Sequence, residues 1–520
     1  MLAAKKVVNN TGYLYVRMII TILVSLYSTR LILSALGESD YGIFSLIAGV
    51  IALLSFINSG MSVATSRYIS FYLGANDMEK LKAAFSSSVL LHLLIGITIV
   101  ILLEIGGVFL FNGVLNIPED RIHTAKIIYQ CMVVSTFFSI NAAPYSATIG
   151  SHENMLYLAV VGIVESFAKL GIAIVLVHAK TDKLILYGLL MAALSVLVRI
   201  VMSVYCQRKY EECRVKVRSH YQINLVKEML LFAGWNVYSM FCYVLNTQGM
   251  NVLLNLFFGV KVNAAYGIAN QVNGTLSSFS TNMIKAFLPQ IFKSGGSGNN
   301  ERMLKLSMLS SKLSIFLLAL FALPIFLEMD FVINLWLKDV PEYTVIFCRL
   351  VLIICILQQP AAGLMAAITA VGNIKTYQLV TGSIQFFNIP IAYGLIKLGL
   401  PPYSVLIGSI FLEFINTSLV IWFAHTIAGL NVRYFVINTL GKSFLSVILA
   451  AFFALLVMLL LDKGLIRALT IGIITTSSLL ILGKYIAFTR DENNKISEII
   501  TSIFISIKGI LSRAGKAKLG

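Results

Sequence analysis

The stretch GYLYVRMIITILVSLYSTRLILSALG at residues 12–37 decides the fold, because its length and its glycine ends return in GWNVYSMFCYVLNTQGMNVLLNLFFG at residues 234–259. The shift between the two stretches is 222 residues. The same order continues along both copies, with Tyr41-Gly42-Ile43 matching Tyr266-Gly267-Ile268, and Tyr157 and Gly162 matching Tyr377 and Gly382. A constant order at a near-constant offset indicates a duplicated membrane unit, which is the usual build of a transporter.

Composition places the whole chain in a membrane. Hydrophobic residues make up 58% of the chain, charged residues 12%, and the mean hydropathy is +0.87, which excludes an ordinary soluble globule. Apolar segments of membrane length predict an all-α polytopic protein with about fourteen spans. The predicted spans 1 to 14 cover residues 12–36, 41–66, 84–111, 125–148, 155–178, 184–206, 230–257, 264–289, 307–328, 344–371, 376–398, 403–428, 443–461 and 465–488.

The distribution of basic residues predicts the orientation. The chain carries a net charge of +17, and its Lys and Arg residues are concentrated in the link at 207–229 and in the tail at 491–520. Under the positive-inside rule both segments, and therefore both termini, lie in the cytoplasm. The basic excess is then explained by retention on that side and by attraction to anionic membrane lipid, and we expect no nucleic-acid partner.

The repeat divides the chain into two lobes. Six spans fill residues 1–206 and six more fill 230–428, with 207–229 as a basic cytoplasmic linker between them. Because six is even, both copies enter the membrane in the same orientation, which predicts two parallel six-helix lobes around a central cavity. Spans 13 and 14, within 429–490, are appended helices. The tail at 491–520 has isoleucines spaced by three and four, which predicts an amphipathic helix that lies on the membrane or binds a partner.

Span 8 is the most polar span. Asn270, Gly274, Ser277, Thr281 and Lys285 are spaced by three and four residues, so they form one stripe along a helix. Small polar residues often join membrane helices by hydrogen bonds, and that is one interpretation of the stripe. The other interpretation is a hydrated cavity wall that presents donors and acceptors to a polyhydroxyl ligand. Further amides extend the candidate wall: Asn273 in span 8, and Asn251 and Asn255 in span 7.

Cations within the spans are the second group of candidate ligand-binding residues. Arg17 and Arg30 lie well inside span 1, and Arg349 lies inside span 10. A charge in the bilayer is costly, so these side chains should face water or an anionic ligand, and Arg pairs bidentately with phosphate. Lys285 lies within about one turn of the cytoplasmic boundary, so its ammonium group can also be explained by snorkelling.

Glu165 is the candidate ion-coupling residue. Its spacing of four from Lys169 in span 5 allows an ion pair that neutralises both groups, and the alternative is a proton- or sodium-coupling role. Glu104 and Glu413 are lone membrane carboxylates and weaker candidates. The six cysteines and the histidines show no ligand spacing, so we expect no metal site, no disulfide framework and no cofactor beyond a proton or sodium gradient.

The chain resembles the polysaccharide transporter family, part of the multidrug, oligosaccharidyl-lipid and polysaccharide exporter superfamily that includes bacterial O-antigen flippases. The similarity rests on the span count, the parallel repeat and three short motifs. These are Asn9-Asn10-Thr11-Gly12 before span 1, Leu36-Gly37 with Tyr41-Gly42-Ile43-Phe44 between spans 1 and 2, and Ser66-Arg67-Tyr68 at the end of span 2. The resemblance implies two lobes around a central cavity and transport by alternating access.

The resemblance further implies a substrate and a location. An undecaprenyl-pyrophosphate-linked oligosaccharide would pass from the cytoplasmic to the periplasmic leaflet of the bacterial inner membrane, for assembly of O-antigen, capsule or exopolysaccharide. Family members place cations in the central cavity, which fits Arg17, Arg30 and Lys285, and we expect spans 13 and 14 to form a groove for the lipid tail. We expect a monomer that works beside a polysaccharide polymerase and other assembly proteins. A flippase for a lipid-linked oligosaccharide, for lipopolysaccharide or another surface polysaccharide, is therefore the leading hypothesis.

Three rival functions remain open at the level of sequence. A cation-coupled small-molecule or drug exporter of the same superfamily should have acids dominating its cavity. A membrane-embedded polysaccharide polymerase or ligase should carry reactive residues on a substantial external loop, whereas the predicted external links here are short. A non-transporting scaffold is favoured only by the predicted amphipathic tail.

Overall fold

The computed structural model describes residues 2–114, 117–214, 221–337, 339–490 and 492–494, and this part of the chain is built from helices. Twelve helical stretches are long and apolar enough to cross a membrane. The helices that hold the spans are Leu2–Leu53, Ser55–Ala75, Met78–Phe109, Ile122–Ser151, Met155–His178, Lys183–Lys209, Ile223–Gly296, Asn300–Leu327, Thr344–Val371, Lys375–Lys397, Ser404–Ala428, Lys442–Leu460 and Leu465–Leu482.

Two of these helical stretches, Leu2–Leu53 and Ile223–Gly296, are hairpins, because a glycine that recurs in the repeat breaks each of them. A straight helix over Leu2–Leu53 would be about 78 Å long, more than twice the hydrocarbon thickness. Gly37 breaks it with φ 77° and ψ 171°, and Gly259 breaks Ile223–Gly296 with φ 81° and ψ −178°. Only glycine adopts such angles without strain, which explains why glycine stands at both equivalent positions.

With both hairpins counted, the chain makes the fourteen predicted passes. Span 1 lies before Gly37, and span 2 runs from there through Ser55–Ala75; spans 7 and 8 lie on either side of Gly259. Residues on both sides of each break share one core, as Ile32 does with Ile43. The prediction of an all-α protein with two six-helix units and two added helices is confirmed.

The two ends of the molecule differ. We call the side where spans 2, 4, 6 and 8 end, at Ala75, Ser151, Lys209 and Gly296, the basic side, and the side of Gly37 and Gly259 the hairpin side. On the hairpin side the Arg121 guanidinium bridges the carboxylates of Asp40 and Asp182. This cluster joins the span 1 hairpin to the starts of spans 4 and 6, and so holds the outer end of the first lobe together.

Apolar cores hold each lobe together, and further cores join the lobes. The first lobe packs around residues such as Ile47, Ile128 and Leu176, which are at most 1% exposed. Another core contains residues of both lobes, among them Met61 of span 2 and Phe232 of span 7. The burial of apolar surface between the lobes therefore stabilises the conformation seen here.

Spans 13 and 14 are fastened to span 9 near both of its ends. Near the basic side, the Lys312 ammonium group donates to Ala487 O and to Glu492 Oε2, each at 2.9 Å. At the hairpin side, Arg467 and Glu328 form a buried ion pair with a shortest distance of 2.7 Å. Apolar contacts from Ala450 and Leu479 to Ala319 fill the space between the two fastenings.

Two predicted features fall wholly or partly outside the described residues. The amphipathic helix predicted over 491–520 rests almost wholly on residues that the structure does not describe, and so does the centre of the linker, at 215–220. The domain boundaries predicted there stay predictions.

Candidate functional site

The lobes touch from the middle of the membrane to the basic side. At Gly60 of span 2, an added Cβ would lie 2.7 Å from Val237 of span 7, and Phe56 packs on Phe241 at 5.4 Å between ring centroids. Nearer the basic side, an added Cβ at Gly74 would overlap the backbone of Lys293. These close approaches need glycine, because any side chain would push the lobes apart.

Toward the hairpin side, the facing sides of span 2 and span 7 move apart and form the two walls of a cleft. On span 2 the face that contains Gly60 continues as Gly42, Leu46, Gly49 and Leu53, all of them exposed. On span 7 the face of Val237 and Phe241 continues as Gln248, Asn251 and Asn255, which are exposed or half-buried. One wall of the cleft is therefore apolar and rich in glycine, and the opposite wall carries amides.

Spans 1 and 8 meet on the other side of the molecule. The Tyr15 hydroxyl donates to Phe279 O at 2.8 Å, and the Met18 sulfur lies 3.4 Å from Ser278 Oγ and 3.2 Å from Asn282 Nδ2. By the repeat, span 1 corresponds to span 7 and span 2 to span 8. The two lobe contacts, 1 with 8 and 2 with 7, are thus equivalent, as expected for a twofold axis along the membrane normal.

Arg17 and Lys285 lie beside this contact and belong to different lobes. Arg17 precedes Met18, and Lys285 follows Asn282 by three residues, so each cation is about one helical turn or less from the contact between Met18 and Asn282. The Arg17 guanidinium lies against Gly162 of span 5, where a Cβ would overlap it. The matching glycine, Gly382, instead receives Tyr238 and Ser239 of span 7. The duplicated glycine therefore has a common packing role, and in the first lobe it makes room for the guanidinium.

Neither Arg17 nor Lys285 has an anionic partner among the described residues, and the same holds for Arg30. Arg30 lies on the hairpin-side half of span 1 and is exposed, as is Lys285, whereas Arg17 is half-buried. The bases on spans 1 and 8 therefore form a positive region between the lobes that is able to attract an anion.

The polar stripe of span 8 divides between the two interpretations. The Ser277 hydroxyl donates to Asn273 Oδ1 at 2.9 Å and lies 3.2 Å from the Cys355 sulfur of span 10, and Asn270 is within reach of Tyr266. These three side chains act within their own lobe. Thr281 and Lys285 are exposed and continue toward the lobe contact. Packing within the lobe explains the first part of the stripe. For the second part, the cavity wall stays a prediction.

The amides of span 7 stay candidates for the cavity wall that the sequence predicts. Neither Asn251 nor Asn255 makes a side-chain hydrogen bond to another described residue, so both are free to bind a ligand. Gln248, on the same face, was not singled out by the sequence, because it stands outside the spacing of four that marks Asn251 and Asn255.

Arg349 lies elsewhere, near the hairpin-side end of span 10. Its Nη2 pairs with Asp330 Oδ2 at 2.8 Å, and its Nε donates to Phe326 O at 3.4 Å. Asp330 belongs to the short helix Met329–Trp336 that follows span 9. The structure gives Arg349 a role in holding this connection, apart from Arg17 and Lys285.

Glu165 is neutralised by Lys169, whose Nζ lies 2.7 Å from Glu165 Oε1. Both side chains line a cavity of about 320 Å³ inside the first lobe, together with Asn58 and Ser195. The ion pair that the spacing of four allows is therefore formed, and it competes with any binding of a coupling ion.

Glu413 differs from Glu165, because amides surround it and no base in the described part of the chain pairs with it. This carboxylate is 6% exposed and accepts hydrogen bonds from Gln358 at 3.2 Å, Gln385 at 3.4 Å and Asn416 at 3.1 Å. Asn246 of span 7 continues the network by donating to Gln385 at 3.0 Å. The network joins spans 7, 10, 11 and 12, so a change of charge at Glu413 would be felt across the second lobe.

The fold and the site define a class of protein: a two-lobed membrane transporter with a cleft between the lobes. Solved structures support this class. An outward-facing MATE family multidrug resistance transporter of the MOP superfamily is similar, with a TM-score of 0.71 and 15% identity over 82% of this chain and 97% of that chain. A MATE transporter in the straight conformation gives a TM-score of 0.70 with 16% identity, over 82% of this chain and 96% of that chain.

A third similar structure, from Pyrococcus furiosus, is described as a MOP superfamily transporter whose reverse polarity of the binding pocket suggests a different function. Its TM-score is 0.68, with 15% identity over 84% of this chain and 99% of that chain. At these identities the similarity establishes the fold alone. No curated protein matches the chain.

The family itself is established by sequence. A family model described as polysaccharide biosynthesis protein matches residues 4–294, more than half of the chain, and the chain belongs to that family. Its fold is the one found in solved transporters of the MOP superfamily.

Proposed function

We propose that this protein is a flippase for an undecaprenyl-pyrophosphate-linked oligosaccharide, which it moves from the cytoplasmic to the periplasmic leaflet of a bacterial inner membrane. The single observation that carries the proposal is that Arg17 and Lys285, two cations from different lobes, lie beside the contact between spans 1 and 8 without an anionic partner among the described residues. A pyrophosphate is a dense anion that can pair with a guanidinium and an ammonium group together.

Several further observations support this substrate. Gln248, Asn251 and Asn255 offer amide donors and acceptors to sugar hydroxyls on the facing wall of the cleft. The family description, polysaccharide biosynthesis protein, fits a glycan substrate. The Pyrococcus furiosus relative, for which a reversed pocket polarity is described, gives a precedent for a cavity whose charge differs from that of other superfamily members.

In the proposed cycle the basic side is cytoplasmic and the observed cleft opens to the periplasm. Binding of the pyrophosphate to Arg17 and Lys285 would strengthen the contact between span 1 and span 8 seen here and so favour the conformation that is closed on the basic side. Differential binding of the substrate to the two conformations is what allows a ligand to drive such a change. Spans 13 and 14, beside span 9, are the proposed support for the lipid tail, and a polymerase and other assembly proteins would receive the product.

The test is transport of a fluorescent lipid-linked oligosaccharide in liposomes that contain the purified full chain. Arg17→Ala and Lys285→Ala should each lower the flipping rate at least tenfold, the effect of losing one charged hydrogen bond of about 1.5–3 kcal/mol. Arg199→Ala is the matched control, because Arg199 lies in span 6 and donates to the Tyr145 hydroxyl at 3.2 Å. Wild-type flipping by both cavity variants would overturn the assignment.

A cation-coupled exporter of small molecules is the second candidate, and the Glu413 network favours it. A buried carboxylate held by three amides is suited to gain and lose a proton or a sodium ion. We propose that Glu413, rather than the paired Glu165, couples either kind of transport to an ion gradient. The exporter hypothesis requires efflux of cationic dyes that is unaffected by Arg17→Ala, whereas the flippase hypothesis predicts no dye transport.

A further inference from the structure

A groove runs along the outside of the first lobe at the basic side. It has a volume of about 570 Å³ and lies where the start of span 5 meets the end of span 6. Tyr157 and Tyr205 stack at 3.6 Å between ring centroids and form one wall. The groove is distinct from the cleft between the lobes, since none of its residues belongs to spans 1, 2, 7 or 8.

The groove has an apolar part and a charged part. Val201, Val204 and Arg208 are spaced by three and four residues, so they share one face of span 6. Val201 and Val204 are each 40% exposed, so their side chains face lipid, and Arg208 follows them by about one helical turn toward the basic side. An acyl chain would lie along the valines while a headgroup reached the arginine.

The two cations of the groove, Arg208 and Lys209, differ from each other in their contacts. The Lys209 ammonium group donates to the Tyr205 hydroxyl at 2.8 Å, and Asn154 Nδ2 donates to the same oxygen at 2.6 Å. Tyr205 thus fixes Lys209 beside the wall. The Arg208 guanidinium is exposed and makes no hydrogen bond or ion pair to another described residue. One cation is therefore held in position, and the other is available to a ligand.

The equivalent surface of the second lobe is closed. Tyr377, which corresponds to Tyr157 in the repeat, is 3% exposed and packs with Phe423, Leu430 and Phe435. The segment that follows span 12 thus covers the second-lobe surface with its own apolar side chains. In the first lobe, by contrast, the described residues after span 6 leave Tyr157 and Tyr205 half-buried.

We propose that this groove binds one anionic glycerophospholipid from the leaflet on the basic side, with its phosphate on Arg208 and Lys209 and one acyl chain along Val201 and Val204. Charge complementarity selects the occupant: a zwitterionic lipid offers no net counter-charge to two adjacent cations, whereas an anionic lipid does. Arg forms bidentate bonds to phosphate, which orders the headgroup. The proposal does not depend on which substrate the transporter carries.

The experiment is native mass spectrometry of the purified full chain titrated with phosphatidylglycerol or phosphatidylcholine. Arg208→Gln should weaken phosphatidylglycerol binding about fivefold, the effect of one basic residue at an anionic lipid surface, and should leave phosphatidylcholine binding unchanged. Val204→Trp fills the apolar part with no change in charge and should weaken phosphatidylglycerol binding as well. The control is Arg433→Gln, which removes the same charge from an exposed position in the short helix Val432–Phe435 after span 12.

Each outcome decides. Loss in Arg208→Gln and Val204→Trp, with wild-type binding in Arg433→Gln, supports a defined lipid site. Equal loss in Arg208→Gln and Arg433→Gln would mean diffuse attraction of lipid to net charge and would overturn the site. Wild-type binding by Val204→Trp would place the lipid elsewhere. Thermal melting of each variant in detergent identifies any loss that is caused by misfolding.

Discussion

Arg67 Nη2 donates a 3.1 Å hydrogen bond to the carbonyl oxygen of Ala370, and this bond joins the two lobes on the basic side. The acceptor lies at the end of span 10, where helix carbonyls lack intrahelical partners and a cation is favourable. The Arg67 side chain is buried and lies over the Tyr68 and Phe71 rings at 4.5 and 4.6 Å. Arg67, part of a short motif in the sequence, is thus a latch between the lobes.

Arg67→Ala should shift the protein toward a conformation that is open on the basic side. Loss of a buried charged hydrogen bond, worth about 1.5–3 kcal/mol, changes a two-state equilibrium about tenfold or more. The measurement is the distance between spin labels at Asn76→Cys and Asn299→Cys, at the basic-side ends of spans 2 and 8. Arg433→Ala should leave the distance distribution as in the parent, and an unchanged distribution in Arg67→Ala would refute the latch.

Gly162→Ala should weaken substrate binding about tenfold, because the new methyl group overlaps the Arg17 guanidinium and displaces it. The measurement is the affinity for the lipid-linked oligosaccharide, with thermal stability measured in parallel. Gly171→Ala is the matched control in the same span, since no atom lies within 4 Å of its added Cβ. Equal affinities in the two variants would show that the position of Arg17 is unimportant.

Glu413→Gln should remove the dependence of transport on an ion gradient, because a glutamine keeps the hydrogen-bonded shape but cannot change its charge. The measurement is transport into liposomes with and without an imposed proton or sodium gradient. Glu165→Gln provides the comparison. If gradient dependence is lost in Glu165→Gln and kept in Glu413→Gln, the coupling residue is the one that the sequence favoured.

Arg467→Met should destabilise the protein by about 3–5 kcal/mol, because it leaves the buried Glu328 carboxylate without its partner. The Arg467 and Glu328 side chains are 8% and 3% exposed, so water can hydrate the unpaired Glu328 carboxylate only slightly. Thermal unfolding in detergent measures the effect. The double variant Glu328→Leu and Arg467→Met should recover most of the loss, since replacing both members of a buried pair by apolar residues is often neutral. A double variant as unstable as the single one would contradict this explanation.

Acid should loosen the hairpin side of the first lobe. Partial burial raises the pKa of Asp182, but the hydrogen bond from Arg121 and the amides that Asp182 caps outweigh it, so the pKa is lowered overall. An acid with a depressed folded pKa contributes stability above its unfolded pKa, near 3.9, and loses it as the pH falls through the folded pKa. Melting temperatures from pH 6 to 3 should therefore fall more steeply in wild type than in Arg121→Gln; parallel curves would refute the linkage.

The sequence predicts the architecture because the signals for it are local. Span length follows from hydropathy, and Gly37 and Gly259 mark the hairpins at a fixed offset that survives in the structure. An even number of spans then determines the orientation of the second copy. These features need no knowledge of how the spans pack.

The site is predicted only in part, because partners across the fold are not encoded by spacing. A stripe on span 8 is visible in sequence, but nothing in it tells that Ser277 contacts Cys355 of its own lobe while Asn282 contacts Met18 of the other lobe. The amides around Glu413 come from three different spans, and Glu413 therefore looked isolated. Glu165 and Lys169, in contrast, are four residues apart, and their pairing was visible as one of two alternatives.

Spans 13 and 14 are fastened to the second lobe at two places, which makes the second lobe the larger of the two moving parts. Because Lys312 and Arg467 tie this pair to span 9 near both membrane surfaces, the pair must travel as one rigid body with the second lobe. A fluorophore on span 13 or 14 therefore marks the frame of the second lobe and stays clear of the cleft. In the alternating-access cycle proposed above, the displacement measured from that frame is the swing of the lighter first lobe, so one distance per molecule would follow the transport cycle in real time.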